Sequence, residues 1–462
     1  MRRALRWIVA AATATVVVTG SALAGATSDL SGPDGLGSHP PVAEQQPVTL
    51  RVATVDNPDT ERLRALSDVF TQANPDVHIE WTTATENSLR QRVSTDVATG
   101  AGRYDVVSVG AYEVPIWAQR GWLQPLHMPA DYAIDDILPS VRAELSHDGQ
   151  LYGGPFYGES TFTMFRTDLF AQAGLQMPAQ PTWEWLGQAA QRIRETGTDV
   201  NPICLRGEPG WGENVALVTA MANSFGARWF DLQWRPEFDG PQWAQALNTY
   251  VALLRGYGPP NATDLGYQGN LDLFRKGHCA IWVDSTAAAS TMVNPNASAV
   301  SAQVGFAPAP GTGGPKRSNW LWAWSLGISR NSRHPQAAQR FVAWATSPQY
   351  AQLVATAYGW AYVPPGTRAS LYRDPRYLAA APFAPLVLAE IQAANPDDPT
   401  AEQVPYRGIQ YVAIPQFPGI AGAVGSRFAK AVAGEITPQE ALANAQWVTT
   451  QVVGRAQFIQ QD

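Results

Sequence analysis

Tyr157, Glu159 and Ser160 stand between a Gly153-Gly154-Pro155 break and the run Phe162, Met164 and Phe165. Gly and Pro interrupt regular structure, whereas aromatic and long apolar side chains favour strands, so the spacing predicts a short extended crossover bearing the polar trio. A carboxylate, a hydroxyl and a ring at a flexible joint suit a cleft that closes on a small polar ligand, and equally an ordinary loop with a partly exposed Glu. Further side chains of the same kind recur at breaks in the pattern. Asn57, Glu86, Tyr112 and Glu113 follow early strand-like runs, Arg206, Trp211, Glu213 and Asn214 fill a Gly-rich loop, and Asp284 ends a strand-like run. Glu113, Glu159 and Asp284 could each also be surface carboxylates or helix caps.

Other chemistries find little support. The six histidines are scattered and compose no metal cluster or evident general base, so no metal and no cofactor is expected. Pro315 replaces the Gly before Lys316 in a loop that otherwise resembles a phosphate cradle. Neither a Gly-x-Ser-x-Gly elbow nor a His-Glu-x-x-His helix occurs. Two carboxylates suffice for glycoside hydrolysis, and Glu113 with Glu159 or Glu213 keeps a secreted glycosidase as the alternative to a binding protein.

The elements that must position these groups follow from periodicity. Val48 to Val55 alternates as a strand, and Leu63, Leu66 and Phe70 then recur at helical spacing. A strand at Val77 to Trp81, a helix bearing Leu89, Val93 and Val97, and a strand at Tyr104 to Val109 continue the alternation. This order predicts an α/β fold with mainly parallel sheets, whose ligands sit beyond the carboxyl ends of the strands. A helix from Trp183 to Arg194, strands at Pro202 to Leu205 and Cys279 to Ser285, and a helix after Asn214 repeat the scheme. Trp320, Trp322 and Trp324 fall on one face of a later strand. That face can stack on a ligand's C–H groups or pack beneath a helix, and at least two of the three rings are expected in the packed role. Helices are expected at Pro335 to Ala345, Pro348 to Ala357, Pro382 to Ala394 and Pro438 to Val453, and between them loops at 406–411 and 415–418 that could cover a cleft.

A chain of 462 residues, 45% hydrophobic, can fill two or three full cores. Residues 1–24 place Arg2, Arg3 and Arg6 before an apolar run and Ala22-Leu23-Ala24, the order of a secretory signal peptide. Its removal takes three arginines and no acid, so the formal charge moves from −7 to −10, which argues against nucleic acid as a partner. Residues 25–46 are expected to form a disordered tether. No Cys stands at the cleavage box, so a soluble exported protein without a lipid anchor is expected, in the periplasm or the cell-surface space. Cys204 and Cys279 are the only cysteines, and in an exported chain one bridge between them is favoured over two buried thiols.

The stretches Ala53-Thr-Val55, Leu89-Arg-Gln-Arg-Val93, Tyr104-Asp-Val106, Tyr112-Glu-Val-Pro-Ile-Trp117, Pro155-Phe-Tyr-Gly-Glu-Ser160, Ile203-Cys-Leu-Arg-Gly207, Trp211-Gly-Glu-Asn214 and Ala222-Asn-Ser224 resemble, in order and spacing, the extracellular solute-binding proteins of family 1. Within this family the stretches resemble the sorbitol/mannitol-binding branch, and the resemblance covers nearly all of Val48 to Gln457. It implies a two-lobe, periplasmic-binding-protein-like fold of type II, each lobe an α/β sheet flanked by helices. Residues 47–154 with 304–346 would form one lobe and residues 155–303 with 347–462 the other. It further implies a monomer that closes on a polyol or sugar and docks on the two membrane permease subunits of an ABC importer. By position in that pattern Glu159 is the carboxylate nearest the hinge. Tyr112 and Glu113 would face it from the first lobe, and Arg206, Trp211, Glu213, Asn214 and Asp284 from the second.

Overall fold

In the computed structural model, which describes residues 47–455, the alternating pattern becomes two separate sheets. The expected signal peptide and tether lie outside the described residues. The first sheet contains β1 (Val48–Val55), β2 (Val77–Ala84) and β3 (Val106–Gly110). A two-residue hairpin of β4 (Ser146–His147) and β5 (Gln150–Leu151) precedes β6 (Gly153–Glu159), which joins the same sheet. The second sheet contains β7 (Thr161–Arg166), β8 (Asn201–Cys204), β9 (Cys279–Ser285) and β10 (Val304–Pro308). The chain then returns to the first with β11 (Trp322–Ile328).

Strand order is β2-β1-β3-β11-β6 in the first sheet and β10-β7-β9-β8 in the second. The pairings of β1 with β2 and β3, and of β8 with β9, are parallel. β11 runs against both of its neighbours, and so does β7. Each sheet is therefore mixed, with one strand running against all the others. β3, β9 and β11 are buried along their whole length, as strands covered on both faces must be. The fold is the two-lobe type II arrangement, with the crossover at Ser160, between the last residue of β6 and the first of β7.

Three segments lie elsewhere than expected. β6 belongs to the first sheet up to Glu159. β10 pairs with β7 in the second sheet, because Phe306 stacks on Phe162 at 5.2 Å. Pro348–Tyr358 packs on the first sheet's side, where the Tyr350 ring meets Trp344 at 5.3 Å and Phe156 at 6.1 Å. We propose lobe boundaries that follow the sheets accordingly.

Local chemistry explains why the helices start where they do. Asn57 caps Pro58–Ala73 by accepting from the Thr60 N–H at 3.0 Å, and the Thr60 hydroxyl accepts in return from the Asn57 N–H. Pro occupies the first turn of Pro241–Tyr257, Pro335–Ala345 and Pro348–Tyr358, where its missing N–H costs nothing. Residues 415–418, expected as loop, run into the helix Phe417–Ala433. Cys204 and Cys279 are joined in a disulfide between the neighbouring strands β8 and β9.

Candidate ligand-binding cleft

Register places the first set of polar groups. Trp322 is paired with Glu159 and Trp324 with Tyr157 across β11 and β6, so two indoles, a carboxyl and a phenol occupy the same end of the first sheet. Asn57, after β1, donates to the Tyr157 hydroxyl at 2.8 Å, and Glu86 opens the helix Glu86–Thr99 after β2. The loop after β8 brings Arg206, Trp211 and Glu213 from the second sheet, and the helix Tyr267–Arg275 adds Tyr267.

Between the sheets lie two chambers whose non-atom space, open solvent included, is about 330 Å³ and about 780 Å³. Glu86, Glu159, Arg206 and Trp324 line both, so the chambers form one continuous cleft. Its two sides touch. Arg90 lies over the Trp211 ring at 3.9 Å, and the Asn87 side chain donates to Glu208 at 3.4 Å.

Two guanidiniums dominate the cleft, and each is held from behind by a buried carboxylate. Arg206 donates to Asp284 at 2.7 and 3.0 Å and to the Gly212 carbonyl at 2.7 Å, with Glu213 at 3.6 Å. Burial alone would lower the Arg206 pKa, but Asp284 and Glu213 hold it well above its usual value. Asp284 also accepts from the Trp282 indole at 3.1 Å and the Ser285 N–H at 2.6 Å. Its oxygens are thus engaged with protein groups. On the other side Arg90 donates to Glu113 and to Glu86, the latter at 2.9 and 3.0 Å. The Arg90 guanidinium also lies 4.8 Å from the Trp324 ring centre and 5.0 Å from that of Trp322. Burial opposes its charge, and Glu113 and Glu86 outweigh burial, raising its pKa.

Burial pushes the Glu159 carboxyl up to about 8, against the pull of the Ser285 hydroxyl and Arg206. Burial likewise takes Glu213 up to about 8, although Arg206 and the Tyr267 N–H, which donates to it at 3.0 Å, pull the other way. Burial thus favours the protonated form of both, in which a carboxyl can donate as well as accept.

Nine of the expected residues line the cleft: Asn57, Glu86, Tyr157, Glu159, Arg206, Trp211, Glu213, Trp320 and Trp322. The others do not. Glu113 and Asp284 stand one layer back and act on the cavity through Arg90 and Arg206. The Tyr112 hydroxyl donates to the Ile414 carbonyl at 2.8 Å, and its ring packs on Trp211 at 4.9 Å. Asn214 donates to the Gly425 carbonyl at 2.9 Å and accepts from the Gly210 N–H at 3.3 Å, which commits it to joining two helices. Ser160 is fully buried at the crossover, its N–H given to the Thr286 hydroxyl at 3.1 Å.

Trp320, Trp322 and Trp324 all line the smaller chamber, yet each is buried in the core, and Trp322 and Trp324 lie beneath Arg90 of the helix Glu86–Thr99, so the rings take both of the expected roles. Trp324 was within reach of the period-two pattern. Arg90 sits one turn after Glu86, an i,i+4 pair that ordinarily marks a solvated face. Tyr267 carried no local signal, and Gln410 was marked only by its place in the loop 406–411.

The family model of bacterial extracellular solute-binding proteins matches residues 56–352. The chain belongs to this family. The mannitol-binding protein of Pseudomonas aeruginosa is 48% identical over 419 residues, 90% of this chain and 96% of that protein. An ABC transporter solute-binding protein of Agrobacterium vitis, solved with bound D-mannitol, is 51% identical. It superposes with a TM-score of 0.87 over 88% of this chain and 99% of its own. A ribitol-bound member from Agrobacterium radiobacter shares the fold at a TM-score of 0.78 and 23% identity, over 88% of this chain and 99% of that one. Family membership makes this a solute-binding protein of the extracellular class. None of these relatives supports the glycosidase alternative, and Glu113, one of the carboxylates invoked for it, lies behind Arg90. Among the described residues no helix is long and apolar enough to cross a membrane.

Proposed function

We propose that this chain is the extracytoplasmic receptor of an ABC importer and captures an acyclic polyol of the mannitol or sorbitol kind in the cleft between its lobes. The observation that carries the reading is the pairing of fixed guanidiniums with buried carboxyls against a wall of indoles. A hydroxyl donates and accepts at once, so a polyol needs donors and acceptors interleaved along its length. Arg206 and Arg90 supply donors, Glu86 supplies acceptors, and Glu159 and Glu213 supply both. Bonds to charged groups contribute about 1.5–3 kcal/mol each. The indoles of Trp322 and Trp324 cover the C–H edges. Because each guanidinium already has a carboxylate partner, the site favours an uncharged ligand over a phosphorylated one. The 48% identity to a mannitol-binding protein supports the same substrate class.

On this reading the protein is exported, works as a monomer, catalyses no reaction and hands its ligand to two permease subunits. The test is thermal unfolding against D-mannitol, D-sorbitol, ribitol, D-mannose and maltose, with each ligand recovered and analysed afterwards. One polyol raising the melting temperature and coming back unchanged is the expected result, since a ligand bound only by the native state stabilises it by mass action. A hydrolysed sugar, or no shift with any compound, would overturn it.

A further inference from the structure

Two residues that line the smaller chamber each carry a buried polar atom without a protein partner. The Trp320 indole N–H is buried without an acceptor, and its residue is 2% exposed. The Gln410 side-chain oxygen is buried without a donor, in a residue 4% exposed. Both residues line the chamber of about 330 Å³ with Glu159 and Arg206. Gln410 donates its amide N–H to the Leu321 carbonyl at 2.9 Å, next in sequence to Trp320. That bond fixes which end of the carboxamide is free, since only the nitrogen can donate. Native proteins rarely leave a buried donor or acceptor unpaired, because each keeps the cost of its lost hydration.

We propose that Trp320 and Gln410 form a subsite that reads one hydroxyl of the ligand. The ligand oxygen accepts from the Trp320 N–H and donates its proton to the Gln410 oxygen. This rests on the polyol reading and deepens it. It makes Trp320 a hydrogen-bond donor as well as a ring of the wall, and it gives the C-terminal segment a direct hold on the ligand. A methyl or hydrogen in place of that hydroxyl would leave both atoms unpaired, so the pair acts in specificity as well as affinity.

The test combines calorimetry with D-mannitol on wild type, Trp320→Phe, Gln410→Met and the double variant with indole N–H spectroscopy of the wild-type protein. Each single change should raise Kd roughly tenfold, the scale of one buried hydrogen bond. The double variant should lose less than the product of the two, because one hydroxyl serves both groups. The Trp320 indole resonance should move downfield on saturation with D-mannitol. Single variants within twofold of a wild type that binds, fully multiplicative losses, or an unmoved resonance would overturn the subsite and leave the receptor reading standing. A wild type that binds no D-mannitol would sink that reading, and the subsite with it. Should Trp320→Phe fail to fold, Gln410→Met and the wild-type resonance still decide.

Discussion

Asp284 touches no part of the cavity, yet it fixes the edge of Arg206 that faces away from the ligand. Asp284→Asn keeps the shape and removes the charge, leaving a buried guanidinium without its closest partner. Breaking a buried pair in this way costs about 3–5 kcal/mol, and urea unfolding of the ligand-free protein should register a loss of that order. Glu159 and Glu213 add a pH dependence whose sign follows from burial. Their folded pKa values of about 8 lie above the ordinary 4.5, so between those limits the folded chain holds more protons than the unfolded one. The stabilisation they contribute is complete below about pH 4.5 and is lost as pH rises toward 8, at up to about 1.4 kcal/mol per pH unit for each group. Melting of the ligand-free protein should therefore fall between pH 5 and pH 8 relative to Glu159→Gln, which removes one of the two titrations. Much of this site was legible in the sequence as residue types at strand ends. The division of labour was not, because whether Glu113 or Glu159 meets the ligand depends on which has an arginine beside it in space. Gln410 was beyond reach for a related reason, since it arrives from a loop 86 positions after Trp324, and only the folded chain brings the two together.

At the scale of elements, the strands were the easiest to read. β9 and the helix Pro335–Ala345 fall where pattern and Pro place them, since a buried strand and a Pro-started helix announce themselves locally. Phe417–Ala433 did not, because Pro418 and three further glycines at 419, 422 and 425 depress helix propensity. Tertiary packing overrides that penalty. A Cβ at Gly425 would stand 2.6 Å from the Asn214 side-chain oxygen and 2.8 Å from Val215, so the glycine lets this helix lie against Asn214–Ser224. Gly425→Ala should accordingly destabilise, by about 1–3 kcal/mol as overpacking does, although Ala is the better helix former. Denaturant unfolding measures it. The Cys204–Cys279 bridge closes a loop of 75 positions within the second sheet. Replacing both cysteines with Ala should cost about 2–5 kcal/mol, seen as a lower melting temperature that reductant does not change further.

At the scale of the whole molecule, the ligand's place between two sheets is what turns binding into a signal. The groups that line the cleft come from both sides, so neither lobe alone completes the site. Contacts such as Arg90 over Trp211 and Asn87 with Glu208 form only when the lobes meet. On the proposed function, a polyol holds them together and the closed surface is what the permease reads. Solution scattering should then give a smaller radius of gyration with D-mannitol than without it. The most direct check is a crystal structure of the chain grown with D-mannitol. The expected result is an unmodified polyol between the sheets, its hydroxyls on Glu159, Arg206 and Glu213 and its carbon chain against Trp322 and Trp324. A polyol bound outside that cleft, or an empty cleft at saturating ligand, would contradict it.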